Sequence, residues 1–398
     1  MKKILLALFF VVSLQPLSAE EKYADAHFHI SNYAYQGVSL KTLIHKYMGT
    51  KIVRSTIMPL PLQQKWDPFE HYAKDKIVPN YYMGPKAELY YYAFADAMIA
   101  KEYEKLSSAE RARLDPMITG FNPMDAYAVK HIKRALLAFP GVFSGIGEFT
   151  VHKEIVSNKI AGDPIKAVST EKLPPDLDAG GKMTLTSPAL IKILDLVAET
   201  GLVATLHNDI YETNVKYDGL RVKKYPKSLY TRELIQLCKA SLKAKVIWAH
   251  TGLGRFVKPV KNHLELVSEV LDACPEWSVD ISWDLVQKDI SAPGDEMPSL
   301  EMWKQFLTHY QDRVLWGSDT VIYSRNKINE KGEPQKGQAM SVKDYQAVAD
   351  VLNPLWSSLN PSLATKIKYK NYTKIFDQAR IKVRAWEKAH AHENIWDL

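Results

Sequence analysis

The feature that most narrows the choice of fold is a repeating grammar along the chain. A short apolar run is followed by a polar turn and an amphipathic stretch, and the cycle then begins again. Alternation of this kind predicts βαβ units arranged around a parallel sheet. The runs read as strands are 23–29, 52–58, 117–121, 142–149, 203–207, 246–250, 277–281 and 314–317. Apolar residues at helical spacing mark helices over 126–138, 189–200, 232–242, 264–273 and 300–310. Eight such strands predict a (β/α)8 TIM barrel, with an open doubly wound sheet as the alternative built from the same elements. Three connections, 63–115, 152–187 and 208–230, are longer than ordinary loops and read as functional insertions. The first is rich in tyrosine, and its 88–105 part is read as helical. Segments 342–356 and 362–376 are read as C-terminal helices that close the barrel and cover its outside.

The N-terminus has a different character. Met1, Lys2 and Lys3 precede an apolar run over 4–12 and a small residue, Ala19, at a cleavage position. That is the tripartite form of a secretory signal peptide, with 20–398 left as a single catalytic domain. The apolar run is short for a membrane span, and no cysteine follows it that could carry a lipid. The expectation is a periplasmic or secreted protein with no stable membrane insertion after cleavage. Its charge of +7 falls to +5 without Lys2 and Lys3, and the basic residues are interspersed with acidic ones. A nucleic-acid partner would gather them on one stripe; this distribution favours a small-molecule substrate, with anionic compounds favoured by the net charge. Only Cys238 and Cys274 are present, and their pairing is left open, as is homo-oligomerisation.

Chemistry enters at the strand ends. In Asp25-Ala26-His27-Phe28-His29, the strand period of two sends both histidines to one face and Phe28 to the other. With 12 histidines in the chain such a pair arises easily by chance, and His390 and His392 form a second one in a helical tail, read as solvated surface. What distinguishes the first pair is recurrence. Later runs end in Glu148, His207, His250 and Asp319, and in a parallel barrel all those ends meet at one face.

With these residues in view, the sequence resembles the amidohydrolase superfamily, in the branch called amidohydrolase-2 or decarboxylase-like. His27-Phe28-His29 is similar to that family's first-strand motif and Gly145-Ile146-Gly147-Glu148 to its fourth-strand segment. His207 and His250 match its fifth- and sixth-strand histidines, and Trp316-Gly317-Ser318-Asp319 its eighth-strand Gly-Ser-Asp. Ala249 to Gly254 resembles the family's His-Xaa-Gly-Gly stretch with an insertion-like change, and Lys370 to Phe376 its closing helix. The long insertions match no family pattern.

Two or three imidazoles and a carboxylate leave a divalent ion such as zinc Lewis acidic, with room for a water whose pKa falls towards neutrality. His27, His29, His207 and Asp319 are the expected ligands, with Glu148 as a further one that would bridge two ions in a binuclear variant; one ion is the preferred reading. The resemblance implies that Asp319 accepts the water's proton; His250 is expected to polarise the scissile carbonyl or stabilise the developing oxyanion, or else to orient a neighbour through a hydrogen bond. Arg255 is placed to meet an anionic substrate group or simply solvent. The expected activity is cleavage of an amide, ester or lactone bond. Two alternatives stand beside it: non-oxidative decarboxylation of an aromatic or enoic acid by the same ligand set, and a non-catalytic metal- or ligand-binding barrel.

Overall fold

The computed structural model describes residues 21–31, 37–64, 89–153, 184–211, 230–254, 259–322 and 342–398. Residues 1–20, which include the expected signal peptide, and Arg255 lie outside them, as do large parts of the three insertions. Eight strands form one parallel sheet in chain order. They are β1 Tyr23–Asp25, β2 Ile52–Ile57, β3 Leu114–Ile118, β4 Gly145–Thr150, β5 Val203–His207, β6 Lys245–Trp248, β7 Trp277–Ile281 and β8 Val314–Trp316. Just beyond β8, Thr320–Val321 pairs in parallel with Phe28–His29, just beyond β1. The Asp319 N–H donates to His27 O at 2.7 Å, and the Ala26 N–H to Trp316 O at 3.1 Å. The two edges of the sheet therefore meet, which makes it the expected (β/α)8 barrel rather than an open sheet.

Helices follow the strands: α1 Phe94–Glu104, α2 Ala128–Ala138, α3 Pro188–Thr200, α4 Thr231–Ala240, α5 His263–Ala273, α6 Leu300–His309 and α7 Asn371–His390. In α3, Leu190, Ile193, Leu194 and Val197 fall at helical spacing and are all buried. Each such side chain contributes roughly 1.5–3 kcal/mol against an exposed reference. Pro188 opens the helix where a missing N–H costs nothing, and Gly201 ends it at φ 79°, in the left-handed region that glycine enters freely.

Inside the barrel, Ala24, Met117, Val203, Ile247 and Leu315 pack with Tyr372, Phe376 and Ala379 of α7. This final helix thus closes the N-terminal end of the barrel. A buried polar cluster completes the closure. Asp115 accepts from Arg54 Nε at 2.6 Å and Nη2 at 3.1 Å, from Arg380 Nε at 2.7 Å and from the Tyr372 hydroxyl at 2.8 Å. The two arginines hold the Asp115 carboxyl below its ordinary range against the cost of burying it.

Three readings shift. The third strand begins at Leu114 rather than Met117, because Asp115 and Pro116, which look like a turn, are carried in the sheet by the cluster just described. The sixth ends at Trp248, because His250 and Thr251 adopt φ 55° and 53° and turn the chain out of the sheet. The 88–105 stretch divides into a strand, Leu89–Tyr91, paired antiparallel with Leu62–Gln64, and then α1. Cys238 and Cys274 form a disulfide joining α4 to the end of α5, with Cα atoms 5.9 Å apart. Among the described residues no helix is long and apolar enough to cross a membrane.

Candidate metal centre

The barrel's C-terminal face collects the polar strand ends. Beyond β1, Phe28 turns outward against the Tyr345 ring, 5.3 Å between centroids, while His27 and His29 turn inward with their rings 5.2 Å apart. Asp25, buried one turn of the pleat below, fastens β1 to the segment carrying Asp319. Its carboxylate accepts from the Ser318 N–H at 2.8 Å and hydroxyl at 2.5 Å, and from the Tyr345 hydroxyl at 3.0 Å. Gly317 is required at this crossing, since a Cβ there would stand 2.8 Å from His27 Cβ.

Asp280, inside β7 and fully buried, sets the orientation of two imidazoles. His27 Nδ1 lies 3.0 Å from Asp280 Oδ2, and a carboxylate can only accept, so His27 keeps a proton on Nδ1 and, whenever the ring is neutral, turns a Nε2 lone pair into the site. The Ser282 hydroxyl donates to Asp280 Oδ1, leaving the serine oxygen to accept from His250 Nδ1 at 2.7 Å. Nε2 of His250 is therefore also a lone-pair atom. His250, Trp283 and Asp319 all hold positive φ, at 55°, 72° and 50°. Such backbone costs of order 1–3 kcal/mol per non-glycine residue and concentrates where side chains must be aimed.

The donor atoms converge. His27 Nε2 is 3.5 Å from Asp319 Oδ1 and 3.7 Å from Glu148 Oε2; His29 Nε2 is 3.2 Å and 3.4 Å from the same two oxygens. A tetrahedron of bonds about 2.1 Å long has edges of about 3.4 Å, and these four separations bracket that value. His27, His29 and Asp319 form one ligand-capable triad and His27, Glu148 and His250 another. Among the described residues His27 Nε2 and His250 Nε2 are fully buried without a hydrogen-bond partner, an arrangement that is costly unless something else meets those atoms. The donor set therefore fits a divalent cation.

The electrostatics agree with this arrangement. Burial opposes charging the His27 ring, yet the Asp280 and Glu148 carboxylates outweigh it and raise its pKa well above the ordinary value. A cation would replace that proton on Nε2. Burial depresses the His250 pKa to about 4, so this ring is neutral at physiological pH. Asp319 and Glu148 resist the upward push of burial and stay below the usual carboxylate range, Asp319 through His29 and Glu148 through Lys153 and His207.

His207 sits at the same mouth in a different setting. Its Nδ1 is 2.5 Å from Glu148 Oε1 and its Nε2 3.1 Å from Asp209 Oδ1, so both ring nitrogens face carboxylates. Of the residues expected from sequence, His27, His29, Glu148, His250 and Asp319 come together in the two triads, and His207 joins them through Glu148. Asp280, Ser282, Trp283 and Lys153 were not singled out by sequence as parts of the site. The signal for Asp280 was present, as another carboxylate at the end of an apolar strand.

No protein-family model matches the chain, and no curated protein does. Solved structures are similar to it at a distance. They include dihydroorotase from Campylobacter jejuni, at 14% identity over 90% of this chain and 84% of that chain, with a TM-score of 0.43. Dihydroorotase from Saccharomyces cerevisiae in complex with 5-fluoroorotic acid shares 10% over 92% and 86%, TM-score 0.47. An amidohydrolase from Burkholderia multivorans with bound zinc shares 10% over 89% and 99%, TM-score 0.45.

Proposed function

We propose that this chain is an exported, metal-dependent hydrolase of the amidohydrolase superfamily that opens an amide, ester or lactone bond in a small molecule. The observation that carries the reading is the set of four nitrogen–oxygen separations among His27, His29, Glu148 and Asp319, which match the edges of a metal tetrahedron. When bound, a divalent cation such as zinc supplies Lewis acidity and makes water a usable nucleophile near neutral pH. His27, His29 and Asp319 would hold it, with Glu148 Oε2 alongside.

Asp319 has the second task. Its imidazole neighbours keep it ionised, so it can accept the proton of the attacking water and return it to the departing amine or alkoxide. His250, with its lone pair on Nε2, acts as a proton acceptor or a further donor to the cation; polarising a carbonyl would first require a proton on that nitrogen. Export is supported by the charged, apolar and small-residue regions of 1–19.

The test combines elemental analysis with a screen of esters, lactones and amides, monitored also for carbon dioxide release. Reconstituted protein should hold roughly one equivalent of divalent metal per chain, and Asp319→Asn should lose a factor on the order of 10² or more in turnover. Reconstituted protein without bound metal would overturn the proposal, and carbon dioxide release from a carboxylated aromatic would reassign the reaction to a lyase.

A further inference from the structure

The chain leaves β6 through three consecutive residues of positive φ: His250 at 55°, Thr251 at 53° and Gly252 at 71°. With ψ of 23° and 36°, the first two lie in the left-handed region that glycine enters freely and other residues visit singly rather than in runs. Such a turn persists only where the surroundings hold it. Asp280 holds its entry, accepting from the His250 N–H at 2.8 Å and, through its own carbonyl, from the Thr251 hydroxyl at 2.9 Å. The Leu253 N–H donates to His250 O at 3.1 Å and the Ile210 N–H to Gly252 O at 2.8 Å. The middle carbonyl, Thr251 O, is met at 3.0 Å by Nε2 of His263, the fully buried first residue of α5.

A carbonyl can only accept, so His263 Nε2 carries a proton. Across the ring, Nδ1 stands 2.8 Å from the Tyr211 hydroxyl, which accepts from the Val260 N–H at 3.3 Å. Burial pushes the Tyr211 pKa up and the His263 pKa down to about 4, so the phenol keeps its proton and the imidazole is neutral. The bonds therefore run one way: Val260 N–H to Tyr211, Tyr211 O–H to His263 Nδ1, and His263 Nε2–H to Thr251 O. We infer that His263 is a positioning residue for His250: it fixes the left-handed turn through Thr251 O and so aims His250 Nε2 at Glu148 and Asp319, 3.6 and 3.9 Å away. Tyr211 selects the tautomer of His263 that can do this, which ties the loop after β5 to the aim of a residue after β6. The Ser282 contact at His250 Nδ1 orients the ring but leaves the backbone that carries it to the turn. The catalytic consequence rests on the hydrolase reading above; the structural one does not.

The experiment compares metal-stripped crystals of wild type, His263→Leu and His263→Gln, the glutamine placing an amide N–H where Nε2 stood. In His263→Leu, Thr251 should leave positive φ and His250 Nε2 should move by roughly 1 Å, a displacement that can cost on the order of a hundredfold in rate. His263→Gln should keep both as in the wild type. Kinetics follow on the zinc-loaded proteins with the substrate found in the ester, lactone and amide screen. The kcat of His263→Leu should fall about tenfold or more with little change in KM, and His263→Gln should recover most of it. In a His250→Asn background, His263→Leu should change kcat by less than about twofold, because it acts through the missing imidazole. A turn and ring that stay in place in His263→Leu overturn the inference, as does a further loss of about tenfold on top of His250→Asn. Should His263→Leu fail to fold, His263→Asn takes its place in every comparison, since its amide ends at the δ position, near Tyr211 and short of Thr251 O. If no ester, lactone or amide is turned over, the hydrolase reading falls, and the crystals still decide what His263 does.

Discussion

Replacing Asp280 by asparagine should weaken metal binding at a residue that is not itself expected to touch the metal. Asp280 accepts from His27 Nδ1 at 3.0 Å, from the His250 N–H at 2.8 Å and from Ser282. Every one of those partners is a donor. An asparagine has one accepting end and one donating end, so either orientation sets an N–H against another donor. If the amide N–H faces His27, the imidazole can satisfy it only by moving its own proton to Nε2, the atom required for the cation. If the amide N–H faces the His250 backbone, the turn at φ 55° that aims His250 is opposed. Restoring the useful tautomer forfeits one charge-assisted hydrogen bond, worth about 1.5–3 kcal/mol, or about ten- to a hundredfold in affinity, the range found when partners behind metal-bound histidines are removed. The assay is competition for zinc against a chelating dye, with circular dichroism to establish that Asp280→Asn is folded. A folded variant with wild-type affinity would refute the claim that Asp280 sets the tautomer of His27.

Other substitutions separate the remaining roles. His250→Asn should leave the His27, His29 and Asp319 donors in place, so metal content should persist while the maximal rate falls with little change in KM; loss of the metal would instead place His250 among its holders. The double change of Cys238 and Cys274 to serine opens a cross-link spanning 36 residues, and denaturant unfolding should show a loss of about 4 kcal/mol; an unchanged midpoint would mean the bridge is dispensable. Arg54→Met leaves buried Asp115 with Arg380 as its remaining cation and should cost about 3 kcal/mol. Because the Asp115 pKa is lowered in the folded state, its contribution is complete above the pKa of an unfolded aspartate and is lost as pH falls through the folded value. The gap between wild type and Arg54→Met should therefore narrow in acid, and a gap that widens there would contradict the assignment.

The strands most legible in the sequence were those whose neighbours impose nothing unusual. Val203–His207 and Trp277–Ile281 lie where the apolar pattern puts them. The third strand was misplaced by three residues because Asp115-Pro116 carries a turn signal, and what overrides it comes from Arg54, Tyr372 and Arg380, separated from Asp115 by 61, 257 and 265 residues. The site divides in the same way. Which residues reach the barrel mouth follows from strand period and strand ends, both local properties. Which nitrogen of each imidazole faces the centre does not, because that is decided by the partner on the far side of the ring: Asp280 for His27 and Ser282 for His250. Asp280 itself escaped notice because Ser278, Asp280 and Ser282 alternate like the wet face of a half-buried strand. In a closed barrel that alternating face points inward, so a carboxylate on it must be paired or put to use. Once closure was expected, Asp280 ranked with Glu148 and Asp319 on the same physical ground, and the tautomer of His27 was the consequence to be drawn from it.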